Sequence, residues 1–174
     1  IPVMGEMIRQ TPGTLSLGQG MVHWGPPAAA LEAARNAIGD SGLHAYGGMA
    51  GEPVLLEALG RWLQQHHQLD LEGSAVLISA GSNMAFHAVA QVLCDPGDEC
   101  LLPVPYYFNH AMAIQLAGGV PVAVEAGVIP DPERLAAAIT PRTRAIVTVS
   151  PNNPSGAVLP RPVLEAINRL CADH

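Results

Sequence analysis

The segment VLISAGSNMAFHAVA (Val76–Ala90) contains the transition from which the fold of this chain can be worked out. It begins with an apolar run that ends at the small residues Ala80-Gly81-Ser82. Helical spacing follows, because Ala85, Val89 and Val92 fall on one face. The pattern predicts a strand that leads directly into a helix.

The turn at Gly81 has two possible roles. Glycine allows the chain to turn tightly because it has no Cβ. The free N–H groups of Ser82, Asn83 and Met84 would then point outward at the positive end of the helix dipole, where a phosphate can bind. Alternatively, Gly81 and Ser82 only end the strand and cap the helix. This segment alone leaves both interpretations open.

The alternation of strand and helix continues to the end of the chain. Strands are predicted at residues 75–79, 99–104, 120–124 and 145–150, and helices at residues 84–94, 109–117, 132–139 and 160–172. This order predicts an α/β fold with a mostly parallel sheet and helices on both faces. In such sheets ligands bind at the carboxyl ends of the strands.

The amino-terminal residues follow a different pattern. Proline and glycine interrupt residues 1–25, so an extended arm and loop are predicted there, with one short strand-like piece at Leu15–Gly20. Helices are predicted at residues 27–38 and 53–66. His66 and His67, at the end of the second helix, are expected to be exposed and not to bind a ligand.

Composition excludes several classes of function. The chain has 174 residues and a formal net charge of -7, and its basic residues form no run, so a nucleic-acid partner is not expected. No stretch is long and apolar enough to span a bilayer and no leader pattern opens the sequence, so no membrane partner is expected and the predicted location is the cytoplasm. Cys94, Cys100 and Cys171 have no metal-binding spacing and are predicted to be reduced and buried, and no metal site is expected.

All eight basic residues of the chain are arginines, so it contains no lysine. A mechanism that needs a lysine amine therefore cannot be completed by these residues.

Unusual residues follow two further predicted strands. Pro151 and Pro154 flank an asparagine pair and hold Asn153 at a strand end, where its amide could donate to a bound molecule, although a simple turn explains the same residues. Tyr107 follows Pro105 and could stack on a planar ring or pack as a half-buried aromatic. The hydroxyl of Tyr46, in a glycine-rich loop, could reach an anion or serve only in packing.

Motifs for a Walker loop, a dinucleotide fold, a zinc protease or a serine hydrolase do not occur in the sequence.

Seven segments in register resemble the class I/II pyridoxal-phosphate-dependent aminotransferases of fold type I, the aspartate aminotransferase superfamily. The resemblance covers essentially the whole chain and corresponds to the amino-terminal part of that family. The segments are Leu15–Gly20, Tyr46–Pro53, Ser79–Ala85, Asp95–Glu99, Pro105–Tyr107, Ala117–Gly119 and Asn153–Gly156.

The resemblance implies a binding site for pyridoxal 5'-phosphate. Gly81, Ser82 and Asn83 would hold the phosphate, Tyr107 would stack on the pyridine ring, and Asn153 would form a hydrogen bond with the phenolic oxygen of the ring. The implied fold is the large domain of fold type I, incomplete in this chain.

The resemblance also implies a homodimer, since Tyr46 would reach the phosphate of the neighbouring subunit. Gly20 would contact the substrate carboxylate through its backbone. Residues 1–45 would form the arm and first helix, as part of a small domain, and residues 46–174 the first part of the large domain. Ser155 stands where the family often has threonine.

The family's Schiff-base lysine, its acidic partner for the pyridine nitrogen and its arginine for the substrate carboxylate lie beyond the Asn-Pro-Thr-Gly motif. The implied activity is amino-group transfer between an amino acid and a 2-oxo acid by a longer protein, and this chain alone is expected to be inactive. Carbon–sulfur lyases and aminocyclopropane-carboxylate synthases share these motifs. A non-catalytic pyridoxal-phosphate-binding fragment is a third possibility.

Overall fold

The computed structural model describes residues 2–15 and 22–174. These described residues form two compact units, of which the first ends at Gly48 and the second begins at Met49. The first unit contains helices α1 (Pro2–Gln10) and α2 (Ala28–Ala37) and a 3₁₀ turn (Ser41–His44). None of its residues with a described side chain is buried. The predicted division into small and large domains near residue 45 stays a prediction.

Helix α1 contradicts the extended arm predicted at the start of residues 1–25, whereas the strand-like piece predicted at Leu15–Gly20 lies outside the described residues from residue 16 onward. Proline is tolerated in the first turn of a helix, where its missing N–H has no intrahelical partner, so Pro2 does not prevent the helix. Glu6 pairs with Arg9 one turn later and accepts a hydrogen bond from Gln10 Nε2 (2.9 Å). The helix ends before Gly13, whose φ of 88° is in the left-handed region.

The second unit contains every strand in the described residues. Its helices are α3 (Pro53–His67), α4 (Ser82–Leu93), α5 (Phe108–Leu116), α6 (Pro132–Ala138) and α7 (Arg161–Asp173), and its strands are β1 (Glu99–Pro103), β2 (Val120–Val124) and β3 (Thr143–Ile146). The strands are parallel, in the order β2-β1-β3. The predicted α/β fold is confirmed. In the described part of the chain, no helix is long and apolar enough to cross a membrane.

Strand β1 lies at the centre of the sheet and all five of its residues are buried. Side chains alternate between the two faces of a strand. Leu101 therefore packs with Leu135 of α6 and Ile167 of α7 on one face. Leu102 packs with Ile114 of α5 on the other face, together with Cys94 at the end of α4. The predicted cover of helices on both faces follows from this alternation.

Residues 75–79 do not form the predicted strand. A strand requires a partner for its backbone hydrogen bonds, and none of the three described strands pairs with this segment. Its Ile78 N–H instead donates to the carbonyl of Ala50 (2.8 Å). Strand β3 also ends earlier than predicted, at Ile146, although Val147 N–H still donates to Leu101 O (3.0 Å).

Two acidic residues at the amino-terminal end of β1 are paired with arginines. Asp98 Oδ2 accepts from Arg144 Nε (3.0 Å), and Glu99 Oε2 accepts from Thr140 Oγ1 (2.6 Å) while its other oxygen pairs with Arg142. The hydrogen bond from Arg144 lowers the pKa of Asp98, and those from Thr140 and then Arg142 lower the pKa of Glu99. Asp98 thus connects the start of β1 to β3, and Glu99 connects β1 to the turn that precedes β3.

These lowered pKa values predict a loss of stability in acid. The unfolded chain takes up protons at a higher pH than the folded chain, so the stabilisation is present above about pH 5 and is lost as the pH falls through the folded pKa values. Denaturant unfolding at a series of pH values measures this loss. The variant Glu99→Gln is expected to lose less stability on acidification than the unmodified protein. The variant Glu165→Gln, which removes an exposed helix ion pair, should behave like the unmodified protein; an acid response of Glu99→Gln equal to that of the unmodified protein would contradict the account.

Two of the three cysteines are buried. Cys94 and Cys100 place their Sγ atoms 3.4 Å apart, and burial, with the hydrogen bond to Cys94, raises the pKa of Cys100 to about 12. The prediction of a buried thiol is wrong for Cys171, which is exposed. Cys171 follows the apolar face of α7, where Val163, Ile167 and Leu170 pack into the core with Leu101 of β1.

An alkylating reagent is expected to modify Cys171 in the native protein and to modify Cys94 and Cys100 only in denaturant. A thiol reacts as its thiolate, and burial both disfavours the thiolate and blocks the reagent. Mass spectrometry of the digested protein measures the labelled fraction at each site. Equal labelling of all three under native conditions would be inconsistent with the described core.

Candidate functional site

The turn before α4 is built around Gly81. This residue has φ 87° and ψ 167°, and a Cβ added there would meet nothing within 4 Å, so the backbone conformation and not the space requires glycine. Gly81 O accepts from Ala85 N (3.2 Å), which starts the helix. Among the described residues, none accepts a hydrogen bond from the backbone N–H of Ser82, Asn83 or Met84. Three donors are therefore free at the positive end of a 12-residue helix.

Tyr107 lies at the start of α5, two residues after Pro105. Its hydroxyl oxygen accepts a hydrogen bond from Asn109 Nδ2 (2.6 Å), and its ring meets His110 edge to face, with centroids 5.5 Å apart. Tyr107 is half-buried and is absent from both hydrophobic clusters of the unit, whereas its neighbour Tyr106 packs against one of them. The ring also meets that of Phe108 edge to face, with centroids 5.1 Å apart, so both of its described aromatic contacts are of this kind.

Asn153 belongs to the loop that follows β3. Its side chain is exposed and makes no hydrogen bond with any described residue. The side-chain amide of the neighbouring Asn152 has two hydrogen-bond partners, because its Nδ2 donates to Pro105 O (3.0 Å) and to Ser155 Oγ (2.8 Å). The hydrogen bonds of Asn152 thus hold the loop in place. The side-chain amide of Asn153 has no hydrogen-bond partner among the described residues.

A cavity of about 600 Å³ brings these positions together. Ser82 and Asn83 of α4, Tyr107 and Asn153 all line it. The remaining wall is mostly apolar and comes from α4, α5, Cys100 of β1 and the segment from Ala145 to Val149, with His110 and Thr148 as its polar members. Four residues that the sequence placed in one site thus share one cavity, although they come from three separate segments.

No Asp, Glu or Arg side chain lines this cavity in the described part of the chain. The imidazole ring of His110 lies on this wall, with its centroid 4.3 Å from that of the Phe86 ring. Burial lowers the pKa of His110, which favours the neutral ring at pH 7. An anion that enters the cavity therefore meets dipoles and neutral groups and no carboxylate.

Gly81 immediately precedes Ser82 but is not itself one of the described residues that line this cavity. The other two predicted positions are Tyr46 and Gly20. Tyr46 lies in the first unit and its side chain is exposed. Gly20 falls outside the described residues. The roles predicted for both stay predictions.

Asn152 and His110 contribute to this region although the sequence pattern did not single them out. The signal for Asn152 was available, because it lies between two prolines beside Asn153, but only the structure shows its reach to Pro105, 47 residues away. His110 lies three residues after Tyr107 and so falls on the same side of α5. Ser155 uses only its hydroxyl in the loop, a group that threonine also has.

Comparison with known proteins identifies the family. The sequence profile of the family "Aminotransferase class I and II" matches residues 12–174. The chain belongs to this family, which confirms the resemblance to its amino-terminal part.

Individual relatives agree with this assignment. The chain is 39% identical to an aspartate/prephenate aminotransferase of Thermus thermophilus over 97% of this chain and 45% of that protein. It is 36% identical to the aromatic aminotransferase ISS1 of Arabidopsis thaliana over 99% of this chain and 46% of that protein. A solved structure of the Thermus thermophilus aspartate aminotransferase with maleate superimposes with a TM-score of 0.89 at 38% identity, covering 99% of this chain and 46% of that one. The chain therefore spans about 45% of the length of these relatives.

Proposed function

We propose that this chain is the amino-terminal part of a pyridoxal-phosphate-dependent aminotransferase that moves an amino group between an amino acid and a 2-oxo acid. The observation that carries the proposal is the single cavity lined by Ser82, Asn83, Tyr107 and Asn153. Membership of the aminotransferase family and the names of the relatives support it.

The start of α4 suits the phosphate of the cofactor. Gly81, Ser82 and Asn83 would hold it, because the free N–H groups of the first turn donate to phosphate oxygens and the helix dipole favours negative charge. The absence of carboxylates from the described cavity wall removes a source of repulsion. This fit depends on the backbone and so does not require a basic side chain.

The other two residues suit the pyridine ring. Tyr107 offers an aromatic face at the cavity wall, and Asn153 offers an unpartnered amide that can donate to the phenolic oxygen of the ring. When bound, pyridoxal phosphate supplies an electron-withdrawing ring that stabilises negative charge on the substrate carbon. The residues of this chain would then bind and orient the ring.

Proton transfer needs a group that this chain does not contain. A lysine amine is the usual base for this reaction in the family, and the chain has no lysine. The proposal therefore assigns binding and orientation to these residues and the proton transfer to residues outside them. It follows that the 174-residue chain alone should not catalyse transamination.

The proposal extends to the assembly. Tyr46 is exposed in the first unit and would contact the phosphate held by a second copy, so the working protein would be a homodimer. Gly20 would contact the substrate carboxylate through its backbone. The cytoplasm is the proposed location, in keeping with the sequence analysis.

The test uses the full-length protein that carries this chain. After incubation with pyridoxal phosphate, an absorbance band in the visible or near-ultraviolet is expected, and an amino-acid donor should discharge it. Adding a 2-oxo acid acceptor should then yield the acceptor's amino acid in equal amount to the donor's oxo acid. Absence of the band would refute the proposal that the protein binds pyridoxal phosphate. Release of ammonia without consumption of the 2-oxo acid would instead show that the protein is a lyase and not a transferase.

A further inference from the structure

Asn152 makes four hydrogen bonds in the loop between β3 and α7. Its Nδ2 donates to Pro105 O (3.0 Å) and to Ser155 Oγ (2.8 Å), which uses both amide hydrogens. Its backbone N–H donates to Ala157 O (2.8 Å), and its carbonyl accepts from Gly156 N (2.7 Å). Asn152 is half-buried, whereas residues 153–156 are exposed.

The two backbone bonds close the turn formed by residues 153–156. Gly156 has φ 72°, a conformation that glycine adopts without strain and that lets the chain return to Asn152. Ser155 Oγ, besides accepting from Asn152, accepts from Ala157 N (3.3 Å). The backbone at Asn153 is therefore held by the residue immediately before it.

The bond to Pro105 connects this turn to a different part of the sheet edge. Within the described residues it is the one hydrogen bond between residues 148–157 and residues 103–107. Pro105 precedes Tyr107 by two residues, and Tyr107 and Asn153 line the same cavity. The relative position of these two cavity residues thus depends on the side chain of Asn152.

We propose that Asn152 is a positioning residue that fixes the amide of Asn153 relative to the ring of Tyr107. The inference rests on the proposed function, in which Tyr107 would stack on the cofactor ring and Asn153 would donate to the phenolic oxygen of the same ring. Asn152 itself is not among the described residues that line the cavity of about 600 Å³ and acts through its neighbour Asn153. Its side chain is oriented by two acceptors, so a carboxylate of the same shape would not replace it.

The test compares Asn152→Asp with Asn168→Asp in the full-length protein. Asp at position 152 places an acceptor against the Pro105 carbonyl and loses the donor, whereas Asn168 is exposed on α7 and its variant controls for the added charge. Loss of one oriented hydrogen bond is expected to weaken binding of pyridoxal phosphate by about 3- to 10-fold. The pH midpoint of the bound cofactor's absorbance should also shift, since the hydrogen bond from Asn153 to the phenolic oxygen would be misaligned. Asn168→Asp should change neither value.

The possible results separate this inference from the proposed function. A merely structural role would lower the midpoint of thermal unfolding without moving the absorbance titration, and that result would overturn the inference. If Asn152→Asp leaves both the affinity for pyridoxal phosphate and the absorbance titration unchanged, the positioning role is refuted, but the proposed function is not. If the unmodified protein binds no pyridoxal phosphate, both fail. Should Asn152→Asp not fold, Asn152→Ala, which removes the donor without adding charge, is expected to give the same shift in the titration, and no shift in that variant refutes the positioning role.

Discussion

Asn153→Ala in the full-length protein is expected to weaken binding of pyridoxal phosphate by about 10- to 100-fold, the effect of losing a hydrogen bond to a charged acceptor. The side chain is exposed and makes no hydrogen bond with any described residue, so the substitution removes no hydrogen bond within the described part of the protein. The midpoint of thermal unfolding without cofactor should therefore stay unchanged. Titration of the apoprotein with pyridoxal phosphate, followed by absorbance, measures the affinity.

The matched control for this prediction is Asn168→Ala, which changes an exposed asparagine of α7 that does not line the described cavity. Its affinity should equal that of the unmodified protein. If Asn153→Ala and the control bind the cofactor equally well, Asn153 does not contact the ring. A fall in the unfolding midpoint of the Asn153 variant alone would instead indicate a structural role for this side chain.

Gly51→Ala is expected to destabilise the protein by about 2–5 kcal/mol, because two unfavourable effects combine. Gly51 has φ 126°, and a Cβ there would lie 2.6 Å from Ile78 Cγ1 and 2.9 Å from Ile78 Cβ. Ile78 cannot move freely, since its N–H donates to Ala50 O (2.8 Å). The midpoint of thermal unfolding, measured by circular dichroism, should fall by several degrees.

Gly73→Ala separates the two effects. Gly73 also has a left-handed φ, 71°, but an added Cβ would meet nothing within 4 Å, so only the backbone cost of about 1–2 kcal/mol remains. The Gly51 variant should therefore lose clearly more stability than the Gly73 variant. Equal losses would mean that the close approach of residues 51 and 78 does not persist in solution.

The strands that could be predicted from sequence are those whose partners the chain itself supplies. Residues 99–103 and 120–124 are strands in the structure because β1 pairs with β2 on one side and β3 on the other. Residues 75–79 have an equally apolar pattern and fail to form a strand because no described strand pairs with them. An apolar pattern indicates that a segment is buried, but a strand also needs a neighbouring strand to accept and donate its backbone hydrogen bonds.

The candidate site shows a similar limit. Ser82, Asn83, Tyr107 and Asn153 could be selected from sequence because strand ends in a parallel sheet lie along one edge. Asn152 could not, since its importance comes from a contact with Pro105 that no local pattern encodes. Helix α1 was missed for a local reason, because Pro2 lies at a helix start where proline does not disrupt the backbone bonding.

The most direct test of the account is the binding of 4'-deoxypyridoxine 5'-phosphate to the full-length apoprotein, measured by calorimetry. This analogue has no aldehyde and cannot bond to a lysine, so its affinity reports the non-covalent contacts assigned to Gly81, Ser82, Asn83, Tyr107 and Asn153. We expect it to bind, and we expect the same molecule without its phosphate to bind at least about tenfold more weakly. Failure of the analogue to bind, or equal binding with and without the phosphate, would contradict the assignment of the turn before α4 as the phosphate site.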